Sequence, residues 1–267
     1  MKTISLSGFT TNIQATDALA IGLYGQQGSG KTRFCCTAPD PIGFIALDRK
    51  ARKTVMKTAS ELGKTVVMPT DDFIRVANPQ ALASMQIDAA MKHYRAHVDQ
   101  IKLAAFKLYS HKDIRTIVID TGSQLWEDMM FANYGRNQRV MPRDRGPVNQ
   151  EMIDLLNALS GKNLIITHKA DEIWTGDGDK AKPSGKFKHA GFRHIEYHIN
   201  VMAEMVCDER KSRDDEGRFY MNVKMCQDNP DIQGPNGTKL LIDEEISFPM
   251  LAMKIYGDEN GNGDQWM

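Results

Sequence analysis

The sequence has no net charge: 34 lysines and arginines face 34 aspartates and glutamates across 267 residues. No global field draws such a chain to nucleic acid or membrane, so any affinity of that kind must come from local patches. Cysteine is scarce as well. Cys35, Cys36, Cys207 and Cys226 form no CxxC pair and no metal-ligand spacing, which argues against a disulfide framework or zinc module and for reduced thiols, as in a cytosolic protein. No apolar run approaches a membrane span, and Met1 to Leu6 lacks the apolar centre of a signal peptide, so a cytoplasmic location without membrane contact is expected. No internal repeat is present, and the length suits one large α/β domain better than two full ones.

What the sequence does have is Gly25-Gln26-Gln27-Gly28-Ser29-Gly30-Lys31-Thr32, a complete G-x-x-x-x-G-K-[ST] loop, followed directly by Arg33. The apolar run Ala18 to Tyr24 leads in as a buried strand, and Lys31 to Cys36 leads out as a helix that ends before Pro39. Strand, glycine-rich turn and helix is the context in which backbone N–H groups cradle a phosphate. Lys31 then reaches the β- and γ-phosphates of ATP, and the Thr32 hydroxyl ligates Mg²⁺.

Beyond the loop, Gly43–Asp48 and Thr65–Met68 read as short strands flanking a basic helix, Arg49 to Leu62. Pro79 to Lys112 reads as the longest helix, Thr116–Asp120 as a buried strand, Ser123–Tyr134 and Val148–Leu159 as helices, and Asn163–His168 as a further strand. Lys169 to Gly191, rich in Gly, Lys, Asp and Pro, reads as a long mobile loop. Val201–Asp208 and Arg218–Lys224 around a polar turn read as an antiparallel hairpin, Leu240–Ile242 as a short strand, and 257–267 as a frayed tail. The expected architecture is α/β: a mainly parallel sheet covered by helices, in an N-terminal segment 1–17, a core 18–200 and a hairpin extension 201–256 of the same domain.

Asp120, at the polar end of the hydrophobic strand TIVID, is the natural Mg²⁺-holding carboxylate, on a strand expected to lie beside the phosphate-loop strand. Thr121 follows it, so no second acid is paired with it and the catalytic base must come from elsewhere. Asp48 is the first candidate, because the C-terminal ends of parallel strands face the nucleotide crevice. Glu127 and Asp128 stand second, as a solvated helix face. Thr167 and His168 close the strand NLIITH, where His168 is the candidate sensor of the γ-phosphate.

Tyr24–Pro39, Phe44–Asp48, Thr116–Glu127 and Leu164–Trp174 together resemble the phage-type ATP-binding proteins with a RecA-like P-loop core, some of which are single-strand annealing recombinases. The resemblance spans roughly residues 18–230. It implies Mg-ATP hydrolysis, a homo-oligomer (ring or filament), a host-cell cytoplasmic location and two DNA-facing loops, with a single-strand-binding protein as a candidate partner. The loops fall on Arg136, Arg139, Arg143 and Arg145, and on Lys180, Lys182, Lys186 and Lys188, with Trp174, Phe187 and Phe192 interleaved. Basic segments with aromatic rings can track a backbone and stack on bases. The glutamate usual in such cores is here the shorter Asp48, and Arg210, Lys211 and Arg213 are candidate cations for a neighbouring subunit's site.

Three rivals stay open. His168-Lys169-Ala170-Asp171 approaches the Asn-Lys-x-Asp motif of a GTPase, although Asp120-Thr121-Gly122-Ser123 is not the D-x-x-G of those switches. A small-molecule kinase with an arginine-rich lid is the second, and a nucleotide-gated assembly protein that barely turns ATP over is the third.

Overall fold

The computed structural model describes residues 18–70, 85–135, 140–176, 181–208, 218–233, 239–242 and 245–257. Segment 1–17, most of the 257–267 tail, the turn carrying Arg210, Lys211 and Arg213, and Arg136, Arg139 and Lys180 lie outside them.

Four segments have near-continuous apolar sequences because they are covered on both faces, as parallel strands flanked by helices require. These are β1 (Ala20–Gly25), β2 (Ile42–Ala46), β4 (Thr116–Asp120) and the first half of β5 (Asn163–Thr175). With β3 (Val66–Val67), β7 (Val201–Cys207), β8 (Phe219–Cys226) and β9 (Lys239–Ile242), they form one sheet in the order β3-β2-β4-β5-β1-β7-β8-β9. Strands β3 to β7 in that order run parallel, and β8 and β9 continue antiparallel, so the expected hairpin is an extension of the main sheet. One placement differs from expectation: β5 pairs with both β1 and β4, so the Asp120 strand is one strand removed from the phosphate-loop strand. The buried first half of β5 thereby ends at the crevice between loop and carboxylate.

Alternation along the strands sorts the core into two layers. Ile117, Ile119, Leu164 and Ile166 face α3 (Ile87–Ser110), α4 (Gly122–Tyr134) and α5 (Gly146–Ala158). Leu23, Val118 and Ile165 face α1 (Lys31–Cys35), α2 (Arg49–Glu61) and α6 (Phe248–Tyr256). Each fully buried Leu or Ile stabilises the fold by about 1.5–3 kcal/mol.

The helix expected from Pro79 to Lys112 is α3, from Ile87; residues 79–84 lie outside the described set. The turn-rich segment before α5 contains a 3₁₀ turn, Pro142–Arg145. Helix α6 was not anticipated because it is short: Phe248, Leu251, Ala252 and Ile255 make one buried stripe, Ser247 caps it, and Phe248 N donates to Thr37 Oγ1 at 2.8 Å. The largest correction concerns Lys169 to Gly191. Strand β5 runs on to Thr175 and pairs antiparallel with β6 (Lys182–His189), making a two-stranded ribbon where a loop was expected. A ribbon with one face toward solvent needs only half-apolar strands, and the Lys, Gly and Pro content hid that alternation.

Candidate functional site

The loop between β1 and α1 is shaped by its glycines. Gly28 and Gly30 sit at φ 82° and 89°, where an L side chain is strained. Gly25 is tight for another reason: a Cβ there would lie 2.2 Å from the Met205 carbonyl oxygen of β7. Lys31 curls back over the loop, its ammonium donating to Gly25 O at 2.7 Å, Gln26 O at 2.9 Å and Ser29 Oγ at 3.3 Å. Burial lowers the Lys31 pKa, and Asp120 opposes that shift. Gln26, Gln27, Gly28 and Arg33 are exposed, Ser29 is buried, and Thr32 is half-buried.

Asp120 is the centre of the site. Its carboxylate accepts from Thr32 Oγ1 at 3.5 Å through one oxygen and from Thr167 Oγ1 through the other. Burial raises its pKa, hydrogen bonds from Thr167 and Thr32 and the charge of Lys31 lower it, and the nearby charge of Asp48 raises it. A hydroxyl and a carboxylate this close form a hard oxygen pair suited to Mg²⁺, and Lys31 lies on the same side. Asp48 is exposed two residues past the end of β2, and Leu47 N donates to Asp120 O at 2.7 Å, tying the two strand ends together. Thus the structure gathers Lys31, Thr32, Asp120 and Asp48 at one crevice.

His168 is placed differently. Alternation along β5 sends Thr167 to the loop face and His168 to the opposite one, where it is fully buried against α4. Its Nδ1 lies 3.5 Å from Ser123 Oγ, and burial, with the neighbouring His189, depresses its pKa to about 3. At this strand end it is Thr167, and not His168, that faces Asp120. Neither second-choice base fits: Glu127 pairs with Lys169 at 3.6 Å on the surface, and Asp128 is buried between α3 and α4, 3.5 Å from His97. Sequence reasoning had put Asp128 on a solvated face; its helical position relative to α3 was not visible.

Ser123 was missed altogether. Its hydroxyl accepts from Lys169 N at 3.0 Å and donates to Ala190 O at 3.3 Å, clamping both strands of the ribbon to the start of α4. A buried serine after a strand carries no sequence signal for this. Beside the loop lies a pocket of about 280 Å³, bounded by Gln26, Gln27, Ser29, Phe187, Glu204 and Asp208.

The DNA-facing candidates divide by position. Lys182, Lys186 and Lys188 are exposed on the ribbon, and Thr175–Lys182 and Asp171–Lys188 share a face by register. Trp174 pairs with Pro183 and Phe187 with Glu172, so Phe187 and Lys188 occupy opposite faces, as do Trp174 and Lys182, while Lys186 falls where the register shifts between Glu172 and Trp174. Phe187 is half-buried and Phe192 fully buried, whereas Trp174 is 61% exposed. Arg143 is exposed beside Asp144, while Arg145 folds onto Val140 O at 3.0 and 3.2 Å. The HKAD stretch lies within strand β5, with Asp171 opposite Lys188 and not in a base-gripping loop.

A parallel α/β sheet whose central strand enters such a loop, with a buried carboxylate facing the loop threonine, defines a P-loop ATPase domain. The AAA_24 family model, described as an AAA domain, matches residues 17–230, and the chain belongs to that family. Among solved structures, an ATPase from the type III secretion system of pathogenic bacteria is similar at 12% identity and TM-score 0.42, over 70% of this chain and 51% of that one. The chain thus spans about half the length of that ATPase. No curated protein matches it. Among the described residues, no helix is long and apolar enough to cross a membrane.

Proposed function

We propose that this chain hydrolyses Mg-ATP and binds single-stranded DNA as a homo-oligomer, promoting annealing or recombination of phage DNA. The observation that carries the first part is the Asp120 carboxylate held between Thr32 and Thr167, with Lys31 beside it. Thr32 and Asp120 would hold Mg²⁺, which when bound neutralises charge on the β- and γ-phosphate oxygens. Lys31 exchanges its loop carbonyls for phosphate oxygens. Asp48, exposed at the crevice edge, accepts the proton of the attacking water, and Thr167 keeps the Asp120 carboxylate aimed.

The DNA-binding part is supported by the ribbon, where Lys182 and Lys188 share a face by register and Lys186 is exposed between them. Such a row tracks a phosphate backbone without reading sequence. The Ser123 clamp joins the ribbon root to the helix that follows Asp120, which gives the two sites a physical connection. A phosphate-release assay with and without oligo-dT tests the whole reading. Stimulation by oligo-dT that Lys31→Ala abolishes supports it. ATP turnover indifferent to oligo-dT, with no binding of the strand, would leave the nucleotide-gated assembly reading, and a preference for GTP would favour the GTPase.

A further inference from the structure

We propose that Tyr197, held by His194, is a base-stacking platform for single-stranded nucleic acid; this rests on the DNA-binding reading above and adds a contact outside the ribbon. Tyr197 is 80% exposed. A lone exposed ring is ordinary, but this one ends a ladder of rings rooted in the core. Trp126 packs on the fully buried Phe192 at 5.4 Å, Phe192 meets His194 edge-on at 5.8 Å, and His194 stacks on Tyr197 at 6.3 Å and 30°. The turn that carries it is pinned from inside by the fully buried Ile195 and from the side by Gln227 Nε2, which donates to Glu196 O at 3.1 Å. A ring fixed in this way loses little freedom when a second ring stacks on it.

Its surroundings select the partner. Arg193 is exposed next to His194, and the turn adjoins the ribbon root, where His189 Nδ1 lies 3.9 Å from Glu196. The acid-free run from Lys182 to Arg193 ends before Glu196, which precedes Tyr197 and faces His189. A fixed, exposed ring on a turn that adjoins the lysine-bearing ribbon fits a nucleobase attached to a phosphate backbone, and base faces are open only in an unpaired strand.

Fluorescence anisotropy of the full chain with Mg-ATP, on oligo-dT, an abasic strand of equal length and a duplex, tests the assignment. Tyr197→Ala should weaken oligo-dT binding about 5- to 100-fold, with the salt slope unchanged and abasic binding unaffected. Tyr197→Phe should bind as the parent does. Parent-like oligo-dT affinity in Tyr197→Ala, alongside weakened binding in a ribbon-lysine variant, would overturn the platform and leave the DNA-binding reading standing. An equal loss on the abasic strand, or duplex binding as tight as oligo-dT and equally indifferent to Tyr197, would also overturn it. A parent that binds no oligo-dT would end both.

Discussion

The Thr167 hydroxyl donates to Oδ1 of Asp120 across the β4–β5 boundary, and the other carboxylate oxygen faces Thr32. One acid is thus shared between a strand that supports it and the phosphate loop that it serves. Thr167→Val should leave that oxygen without its donor inside the core and cost about 1.5–3 kcal/mol of stability. Thr167→Ser should restore most of it. Urea denaturation together with Mg²⁺-dependent nucleotide binding checks this, and a Thr167→Val protein equal to the parent in both would remove Thr167 from the site.

Lys31→Ala should abolish ATP turnover while the circular dichroism spectrum persists, because the side chain lies over the loop and not in either core layer. Asp120→Asn should weaken Mg²⁺-dependent binding, whereas Asp48→Asn should slow hydrolysis with binding nearly intact. Nucleotide titrations and single-turnover assays on the three variants separate these roles. Equal effects of the two acid substitutions on binding would take Asp48 out of the role of base.

Gly25→Ala places a methyl 2.2 Å from a backbone oxygen that cannot rotate away. The loop or β7 must shift, at a cost of about 1–3 kcal/mol, and ATP affinity should fall with it. Gly28→Ala, which meets no neighbouring atom within 4 Å but holds φ 82°, isolates backbone strain from steric contact. Isothermal titration of both variants with ATP distinguishes the two causes; an unaltered Gly25→Ala would show that the β7 contact does not shape the loop.

The buried His168 gives a pH dependence with a defined sign. Its folded pKa, about 3, lies below the ordinary 6.5, so above 6.5 the imidazole is neutral in both states and contributes no slope. As pH falls from 6.5 toward 3, the unfolded chain takes up a proton that the folded one refuses, and stability declines by up to about 1.4 kcal/mol per pH unit. His168→Asn should lack this part of the acid slope. Stability curves for parent and variant that run parallel from pH 7 to pH 4 would refute it.

Replacing Lys182, Lys186 and Lys188 together by Ala should weaken oligo-dT binding for all sequences alike and flatten its salt dependence by roughly 0.7 per lost phosphate contact. ATP affinity should hold, since these residues are exposed on the ribbon and outside the phosphate loop. Trp174→Ala should leave the slope unchanged. Anisotropy across a salt series decides it, and an unchanged affinity in the triple variant would free the ribbon from any DNA role.

The phosphate loop and the hydrophobic strands were legible because their signals are local: glycines at fixed spacing, a lysine and threonine beside them, and runs such as TIVID that only a doubly covered strand tolerates. Strand order was not, since nothing local says that β5 rather than β4 borders β1. The face on which a strand-end side chain emerges depends on that order and register, so Thr167 and His168, adjacent and both polar, could be told apart only in three dimensions. Ser123 and Tyr197 were invisible because each acquires its place from packing: Ser123 from partners 45 or more residues away such as Ala190, and Tyr197 from a ladder of rings that runs through His194 and Phe192 to Trp126.

Among the described residues, β6 pairs only with β5, which leaves its other side as a free strand edge. Such an edge is a template for recruiting further strands, and Lys182, Pro183, Lys186 and Lys188 are the residue types that block it. Lysines at such an edge disfavour the pairing of one β6 with another, whatever other surface subunits use to assemble. Stripping them should raise light scattering at high protein concentration, and restoring charge with glutamate in their place should bring back colloidal stability without bringing back affinity for a polyanion.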